Sequence, residues 1–281
     1  MKLALNLFFS TGSEIWGLPL LVNEKSSIES KYDSFIPNKI QIKYAKYILG
    51  VDKSATNLAV MSELGLFPLT ISAIRAALGF WLHTINMDDT FLVKNAFSDN
   101  FIPKDSFCGK IKLLLDRLGF SHAWDNQGIF SKARFLNAVE EKLKQNFIDY
   151  WKLKIFDDDN KVNGNKLRTY RKLKLEYETD FLLYVDVDRS AISCFVKIRI
   201  SNNILNIEKG RHLNIPVEQR ICRLCEQEIE DEYHFIMKCQ NLDELRNNFF
   251  HEIISVVPHF PAMHNTEKNQ FYFNQSRSRH K

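Results

Sequence analysis

Apolar residues recur at helical spacing along most of the chain, and this pattern predicts a mainly α-helical fold. In residues 131–156, Phe135, Val139 and Leu143 fall on one stripe, as they would on the buried face of an amphipathic helix. The same spacing predicts further long helices at residues 39–49, 70–86, 105–118, 189–200 and 241–256.

Turn and capping residues set the limits of several helices. Gly50 is expected just beyond the first helix, because glycine readily adopts the left-handed conformation that closes many helices. Thr56, or Ser54 before it, is expected to cap a short helix that ends at Gly65. Asp231 is expected to cap another short helix near the C-terminus.

A polar run at residues 157–165 predicts a linker between two parts of the chain. The first part, residues 1–156, is a helical region, and the second, residues 166–257, is a basic helical region. Residues 258–281 are expected to form a disordered tail. The three aspartates at 157–159 would suit a cation by charge alone, but a solvated linker is the simpler interpretation.

The second part begins with a predicted amphipathic helix at residues 166–177. Its apolar side chains share one arc, whereas Arg168, Arg171 and Lys172 lie on the opposite side. Residues 161–223 contain 13 Lys and Arg against 7 Asp and Glu, although the whole chain has a net charge of only +4. Such a local excess fits a surface that contacts nucleic acid, and it also fits an ordinary solvated helix surface.

The sequence predicts no association with a membrane. The longest apolar stretch, Leu69–Ile85, contains Arg75 and is shorter than the roughly 20 residues of a membrane-spanning helix, so we expect a buried core helix. The run Leu3–Phe9 has the character of a minimal signal sequence, but it is short and a poor cleavage site follows it. We therefore expect an intracellular protein, in the nucleus or the cytoplasm.

Four residues near the C-terminus form a metal-binding pattern within a module at residues 220–240. They are Cys222, Cys225, His234 and Cys239, with the spacing C-x2-C-x8-H-x4-C. Three thiolates and one imidazole suit tetrahedral Zn²⁺, and four protein ligands are typical of a structural site. His234 and Cys239 are five positions apart, about 140° around an ideal helix, so a helix between them must end or distort. The pattern predicts one structural zinc ion.

Other interpretations of the cysteines remain open. Cysteine is often buried, so the three could be core residues beside a chance histidine. Cys108 and Cys194, in apolar helical segments, are expected to be core residues. A disulfide would need an oxidising compartment and would leave one of the five cysteines unpaired. A RING-type adaptor would need a second set of four ligands, which the sequence lacks.

Three stretches together resemble the C-terminal part of a non-LTR (LINE-type) retrotransposon reverse transcriptase, downstream of its palm. Residues 12–17 (GSEIWG) resemble the YGxExWG segment that follows the palm, and residues 36–65 resemble the helical stretch after it. Residues 211–239 match the terminal CCHC motif, with the four metal ligands in its ligand positions. The resemblance covers most of residues 1–255. It implies helical thumb and connector regions followed by a small zinc module implicated in nucleic-acid binding.

The resemblance does not include the polymerase chemistry. Reverse transcriptases of this family hold two Mg²⁺ ions with an aspartate pair in a Y-x-D-D turn. The nearest match here is Tyr184–Asp188, whose two aspartates are separated by Val187, and Asp188 is better explained as a helix cap. We expect no enzymatic activity from this chain alone, and a separate palm-bearing chain as a partner.

Two functions follow from these observations. In the first, the chain binds RNA or DNA without strong sequence preference, through phosphate contacts. The expected contact residues are Arg168, Arg171, Lys172, Arg220, Arg223 and Lys238. In the second, the chain is a helical scaffold or protein-interaction segment in which the zinc knuckle is purely structural. Affinity that falls steeply with salt would favour the first.

Overall fold

The computed structural model describes residues 12–99, 105–156, 166–179 and 188–256, together with residues 258 and 262. Within these ranges the structure is mainly helical and contains no β-strand, as the apolar pattern predicts. Three isolated backbone bridges are its only β-type pairings in the described residues. The predicted linker at 157–165 and most of the predicted tail lie outside the described residues.

The α-helices are numbered here in chain order. They are α1 (Ser13–Leu21), α2 (Ile36–Leu49), α3 (Asn57–Glu63), α4 (Leu69–Ile85), α5 (Leu92–Asp99), α6 (Phe107–Leu118), α7 (Ser121–Asp125), α8 (Lys132–Phe156), α9 (Arg168–Leu173), α10 (Arg189–Arg199), α11 (Asn206–His212) and α12 (Asp243–Val256). All six long helices predicted from apolar spacing are confirmed within three residues at each end. Gly50 has a φ of +64° after α2, which confirms the predicted closing position.

The chain divides into two compact units. Unit 1 comprises residues 1–44 and 67–152, and unit 2 comprises residues 45–66 and 153–281. This division differs from the single boundary predicted at the linker, because residues 45–66 belong with the C-terminal half. Helical periodicity cannot show this, since it reports which face of a helix is buried and not which distant segment covers it.

Helix α4 forms the core of unit 1. Gly17 of α1 lies so close to it that a Cβ atom at this position would be 3.2 Å from the Cβ of Ala73. The ring of Trp81 is fully buried and stacks on Trp124, with 6.1 Å between the ring centroids. These contacts confirm the prediction that this apolar stretch is a core helix. Among the described residues, none of the helices is both long and apolar enough to cross a bilayer.

In unit 2, residues 45–66 pack against α9 and α10. The buried guanidinium of Arg199 lies 3.2 Å from the carboxylate of Glu63, and both side chains are 1% exposed. The fully buried hydroxyl of Tyr170 donates a hydrogen bond to the carbonyl of Ala59, and burial raises the pKa of this tyrosine well above its ordinary value. These buried polar contacts explain why α3 belongs to unit 2.

The predicted helix over residues 166–177 is wrong beyond α9, which ends at Leu173. The chain then forms a bridge between Thr179 and Leu64, and the hydroxyl of Tyr177 donates to the carbonyl of Leu66. Gly65, with a φ of +56°, leaves space for Thr179 that no other residue would leave. Pairing with a distant segment thus outweighs local helix propensity.

Candidate metal centre

A tight turn places the first two cysteines of the motif side by side. The backbone N–H of Cys222 donates to the carbonyl of Glu228 at 2.8 Å, and that of Glu226 donates to the carbonyl of Cys222 at 2.9 Å. Glu226 adopts a φ of +56°, which lets the chain reverse within this short span. The Sγ of Cys222 also accepts a hydrogen bond from the backbone N–H of Leu224 at 3.4 Å. The turn is therefore shaped around its own sulfur ligand.

A distorted helical turn carries the other two ligands. The carboxylate of Asp231 accepts a hydrogen bond from the backbone N–H of His234 at 2.7 Å, which confirms it as the cap. The next residues, His234–Lys238, form a π-helical turn. A π turn is closed by an i→i+5 hydrogen bond, and here the N–H of Cys239 donates to the carbonyl of His234 at 2.9 Å. The expected distortion between His234 and Cys239 is confirmed, and it brings both side chains to the same side of the helical turn.

The four side chains converge. Their ligand atoms all lie within 4.8 Å of one another. The Sγ atoms of Cys222 and Cys239 are 3.8 Å apart, and the Sγ of Cys225 is 3.3 Å from the Nε2 of His234. Tetrahedral zinc with bonds of about 2.3 Å to sulfur requires sulfur–sulfur separations of about 3.8 Å. The arrangement can therefore hold a metal ion, with donors and spacing that fit zinc.

The disulfide alternative for these cysteines does not fit the structure, and a core role would not by itself explain their position. All five cysteines are free thiols, and a separation of 3.8 Å is far longer than a disulfide bond of about 2.05 Å. Cysteines that only fill a core would have no reason to converge with His234. Cys108 is buried, as expected of a core residue, but Cys194 is exposed and its predicted core position is wrong.

Burial and hydrogen bonding act differently on the sulfur ligands. Cys222, Cys239 and His234 are almost fully buried, whereas Cys225 is half-buried. The backbone N–H of Gln227 lowers the pKa of Cys225 to about 7. Burial raises the pKa of Cys239 to about 11. Since a metal binds the thiolate, Cys225 loses its proton to a metal more easily than Cys239 does, and metal binding must displace the proton of Cys239.

A buried ion-pair cluster joins the motif to α9. The guanidinium of Arg168 donates to Glu208 at 2.7 Å and to both carboxylate oxygens of Glu232 at 2.6 and 2.7 Å. Glu208 and Glu232 are only 2% and 1% exposed. Thr169 and Asn203 each donate to Glu232 at 3.0 Å. Arg168 is therefore a structural residue of the module, and its predicted role as a phosphate contact is wrong.

Arg220 is also engaged inside the fold. Its side chain is 4% exposed, and it donates to the carbonyls of Ile207 and Ile215 at 2.8 to 2.9 Å. A Cβ atom at Gly210 would lie 2.6 Å from its Cγ, so this glycine makes room for the arginine. With its donors on backbone carbonyls and little surface exposed, Arg220 cannot serve as the predicted phosphate contact.

The remaining predicted contacts differ in their surroundings. Arg171 is partly buried and donates to the carbonyl of Ile155. Lys172 is exposed on α9. Arg223 and Lys238 are about half exposed, each 3.6 Å from a single carboxylate, that of Glu230 and of Glu228 respectively. Three of the six predicted cations, Lys172, Arg223 and Lys238, thus have the exposure that a nucleic-acid contact requires.

The aspartate run that resembles a polymerase turn is only partly described. Residues 184–187 lie outside the described residues. The carboxylate of Asp188 accepts a hydrogen bond from the backbone N–H of Ser190 at 2.8 Å at the start of α10, which confirms its predicted role as a helix cap.

Comparisons with protein-family models, curated proteins and solved structures found no match. The resemblance to retrotransposon reverse transcriptases therefore rests on the sequence motifs alone. What the structure itself adds is the Cys3His cluster, which closes a compact C-terminal module in a mainly helical chain.

Proposed function

We propose that this chain is the zinc-organised, nucleic-acid-binding C-terminal region of a non-LTR-type reverse transcriptase. The observation that carries the proposal is the Cys3His cluster with two exposed cations at its edge. Arg223 lies within the Cys-x-x-Cys turn, and Lys238 directly precedes the last ligand. RNA or DNA is the expected partner, and a separate palm-bearing chain would supply the polymerase chemistry that this chain is not proposed to perform.

Zinc has a structural role in this proposal. Four protein ligands fill a tetrahedral shell and leave no position for a substrate or an activated water. The ion would instead hold the Cys-x-x-Cys turn against the π-helical turn that begins at His234. The binding free energy of such an ion contributes directly to folding. Loss of zinc should therefore unfold the module and, with it, the surface that carries Arg223 and Lys238.

The two cations at the edge of the site are suited to phosphate binding. Each is about half exposed and has one carboxylate at 3.6 Å, beyond normal hydrogen-bonding distance. The Lys238–Glu228 pair is exposed on both sides and contributes little to stability, so this lysine can exchange its carboxylate for a phosphate at small cost. Arg223 faces a carboxylate that is only 4% exposed and also donates to the carbonyl of Ile204 at 3.1 Å, so its exchange costs more. Lys172 provides a third exposed cation on α9.

A helical scaffold with a purely structural zinc site is the second candidate, and the charge distribution favours it. Residues 204–250, which include the metal cluster, contain six Lys and Arg against nine Asp and Glu. Arg168 and Arg220 are held inside the fold, so part of the basic excess seen in the sequence does not face solvent. A surface with so few exposed cations would bind a phosphate backbone weakly.

Salt-dependent binding to a single-stranded RNA oligonucleotide separates the two functions. With three phosphate contacts, affinity should fall about 20-fold between 50 and 200 mM salt, since the slope is about −0.7 per contact for single strands. The double variant Arg223→Glu, Lys238→Glu should fall only about threefold over the same range. A matched variant, Lys112→Glu with Lys142→Glu, reverses two exposed lysines of unit 1 and should behave like the wild type. Zinc-loaded protein that binds no RNA, or binds without salt dependence, would favour the scaffold.

A further inference from the structure

We propose that Glu228 positions the histidine ligand by accepting a hydrogen bond from its second ring nitrogen. The carboxylate Oε2 of Glu228 lies 3.3 Å from the Nδ1 of His234. On the opposite side of the ring, Nε2 lies 3.3 Å from the Sγ of Cys225 and faces the cluster. The inference rests on the proposed zinc site and extends it beyond the four ligands.

The chemistry of the ring explains why an acceptor is needed at this point. A metal-bound nitrogen offers a lone pair, so the remaining proton of a neutral imidazole must be on the other nitrogen. With Nε2 toward the three sulfur atoms, that proton is on Nδ1. Among the residues that the structure describes, the acceptor at hydrogen-bonding distance from Nδ1 is the carboxylate of Glu228. An acceptor here fixes both the tautomer and the orientation of the ring.

Glu228 is held in place by the turn that it helps to close. Its backbone carbonyl accepts the hydrogen bond from Cys222 at 2.8 Å, so one residue contacts a sulfur ligand through its backbone and the histidine ligand through its side chain. His234 is 5% exposed, and the carboxylate reaches it from a side chain that is 54% exposed. The interaction therefore spans the boundary between the site and solvent.

Lys238 provides the competing explanation for this carboxylate. Its ammonium lies 3.6 Å from the same oxygen, so Glu228 could serve only to pair with the lysine. The contact with His234 and the pair with Lys238 predict different effects of substitutions on zinc affinity. If Glu228 acts on the histidine, removing Lys238 leaves zinc affinity unchanged, whereas removing the carboxylate lowers it. Loss of an acceptor of this type generally lowers metal affinity by about 10- to 100-fold.

Zinc affinity, measured by competition with a chromophoric chelator, tests the inference in the full chain. Glu228→Ala should bind zinc about 10- to 100-fold more weakly, whereas Glu228→Gln keeps an acceptor oxygen and should recover most of the affinity. Lys238→Gln and Glu226→Gln, a neighbouring exposed glutamate of the same turn, should match the wild type. Glu228→Ala within twofold of the wild type would overturn the proposal, and so would an equal loss in Lys238→Gln.

The position of the proton on the His234 ring gives a second measurement, which needs only the wild-type protein. Nitrogen-15 NMR of zinc-loaded wild-type protein should show His234 with its proton on Nδ1 and zinc on Nε2. Zinc on Nδ1 would overturn the assignment even if the alanine variant failed to fold. Wild-type protein that binds no zinc would instead contradict the proposed function, so the two failures are distinguishable.

Discussion

Replacement of Arg168 by methionine tests whether the polar face of α9 is a binding surface or part of the core. The change removes the guanidinium but keeps much of the length of the side chain. It leaves the carboxylates of Glu208 and Glu232 almost fully buried without their main partner. Breaking one partner of a buried pair costs about 3–5 kcal/mol, because the charge that remains is not compensated.

The lower end of this range applies, because each carboxylate keeps other partners. Glu208 still pairs with Arg211 at 3.1 Å, and Glu232 still accepts hydrogen bonds from Thr169 and Asn203 at 3.0 Å. We therefore expect a loss of about 3 kcal/mol in unit 2. Adding Glu232→Gln to the variant should restore part of the loss, since it removes one of the two buried charges.

Hydrogen exchange measured peptide by peptide is the suitable assay. All four tryptophans belong to unit 1, so their fluorescence does not report on this region and serves as the control. A loss of about 3 kcal/mol raises amide exchange in residues 204–240 by about two orders of magnitude, at tenfold per 1.4 kcal/mol. Lys172→Met, an exposed neighbour on α9, should leave exchange unchanged.

A different result would support the prediction from the sequence that Arg168 contacts phosphate. If Arg168→Met leaves exchange in residues 204–240 within about threefold of the wild type and instead weakens RNA binding with a shallower salt slope, Arg168 contacts phosphate and the ion-pair cluster has little weight.

Two further predictions concern packing and cysteine chemistry. Gly210→Ala should destabilise unit 2 by about 1–3 kcal/mol, because the new methyl overlaps the locked side chain of Arg220; exchange rates close to the wild type would show that the arginine can move aside. In zinc-loaded protein, a maleimide should modify only Cys194, because the three ligand sulfurs are protected and burial raises the pKa of Cys108 to about 11. Mass spectrometry should count one adduct before and four after removal of zinc with a chelator, and four adducts in both cases would contradict the site.

The spacing of apolar residues was sufficient to predict most helices. It failed for helices that lack a single apolar stripe. Helices α4 and α8 each bury one apolar stripe, which periodicity detects directly. Helix α1 is apolar on nearly all sides and contains Pro19, so it has no such stripe. Helix α11 is short and polar, and its first turn is held by contacts from Arg220 and Glu230 that no local pattern contains.

The Cys3His cluster was predictable because the spacing of its four residues along the chain already limits their geometry. Two cysteines three positions apart share a turn, and the five-position separation of His234 and Cys239 requires a distorted helix, which the π turn supplies. The burial of Arg168 in an ion-pair cluster was not predictable in this way. The partners of Arg168 lie 40 and 64 residues further along the chain, and only the folded structure brings them together.

Zinc content is the first quantity to measure. Elemental analysis of purified wild-type protein should find one zinc per chain, and the matched variant Cys225→Ser should bind it much more weakly or lose it on purification. A parallel variant, Cys194→Ser, changes an exposed cysteine outside the cluster and should keep the full amount. Wild-type protein without zinc, or equal zinc in wild type and Cys225→Ser, would contradict the assignment of Cys222, Cys225, His234 and Cys239 as a metal site.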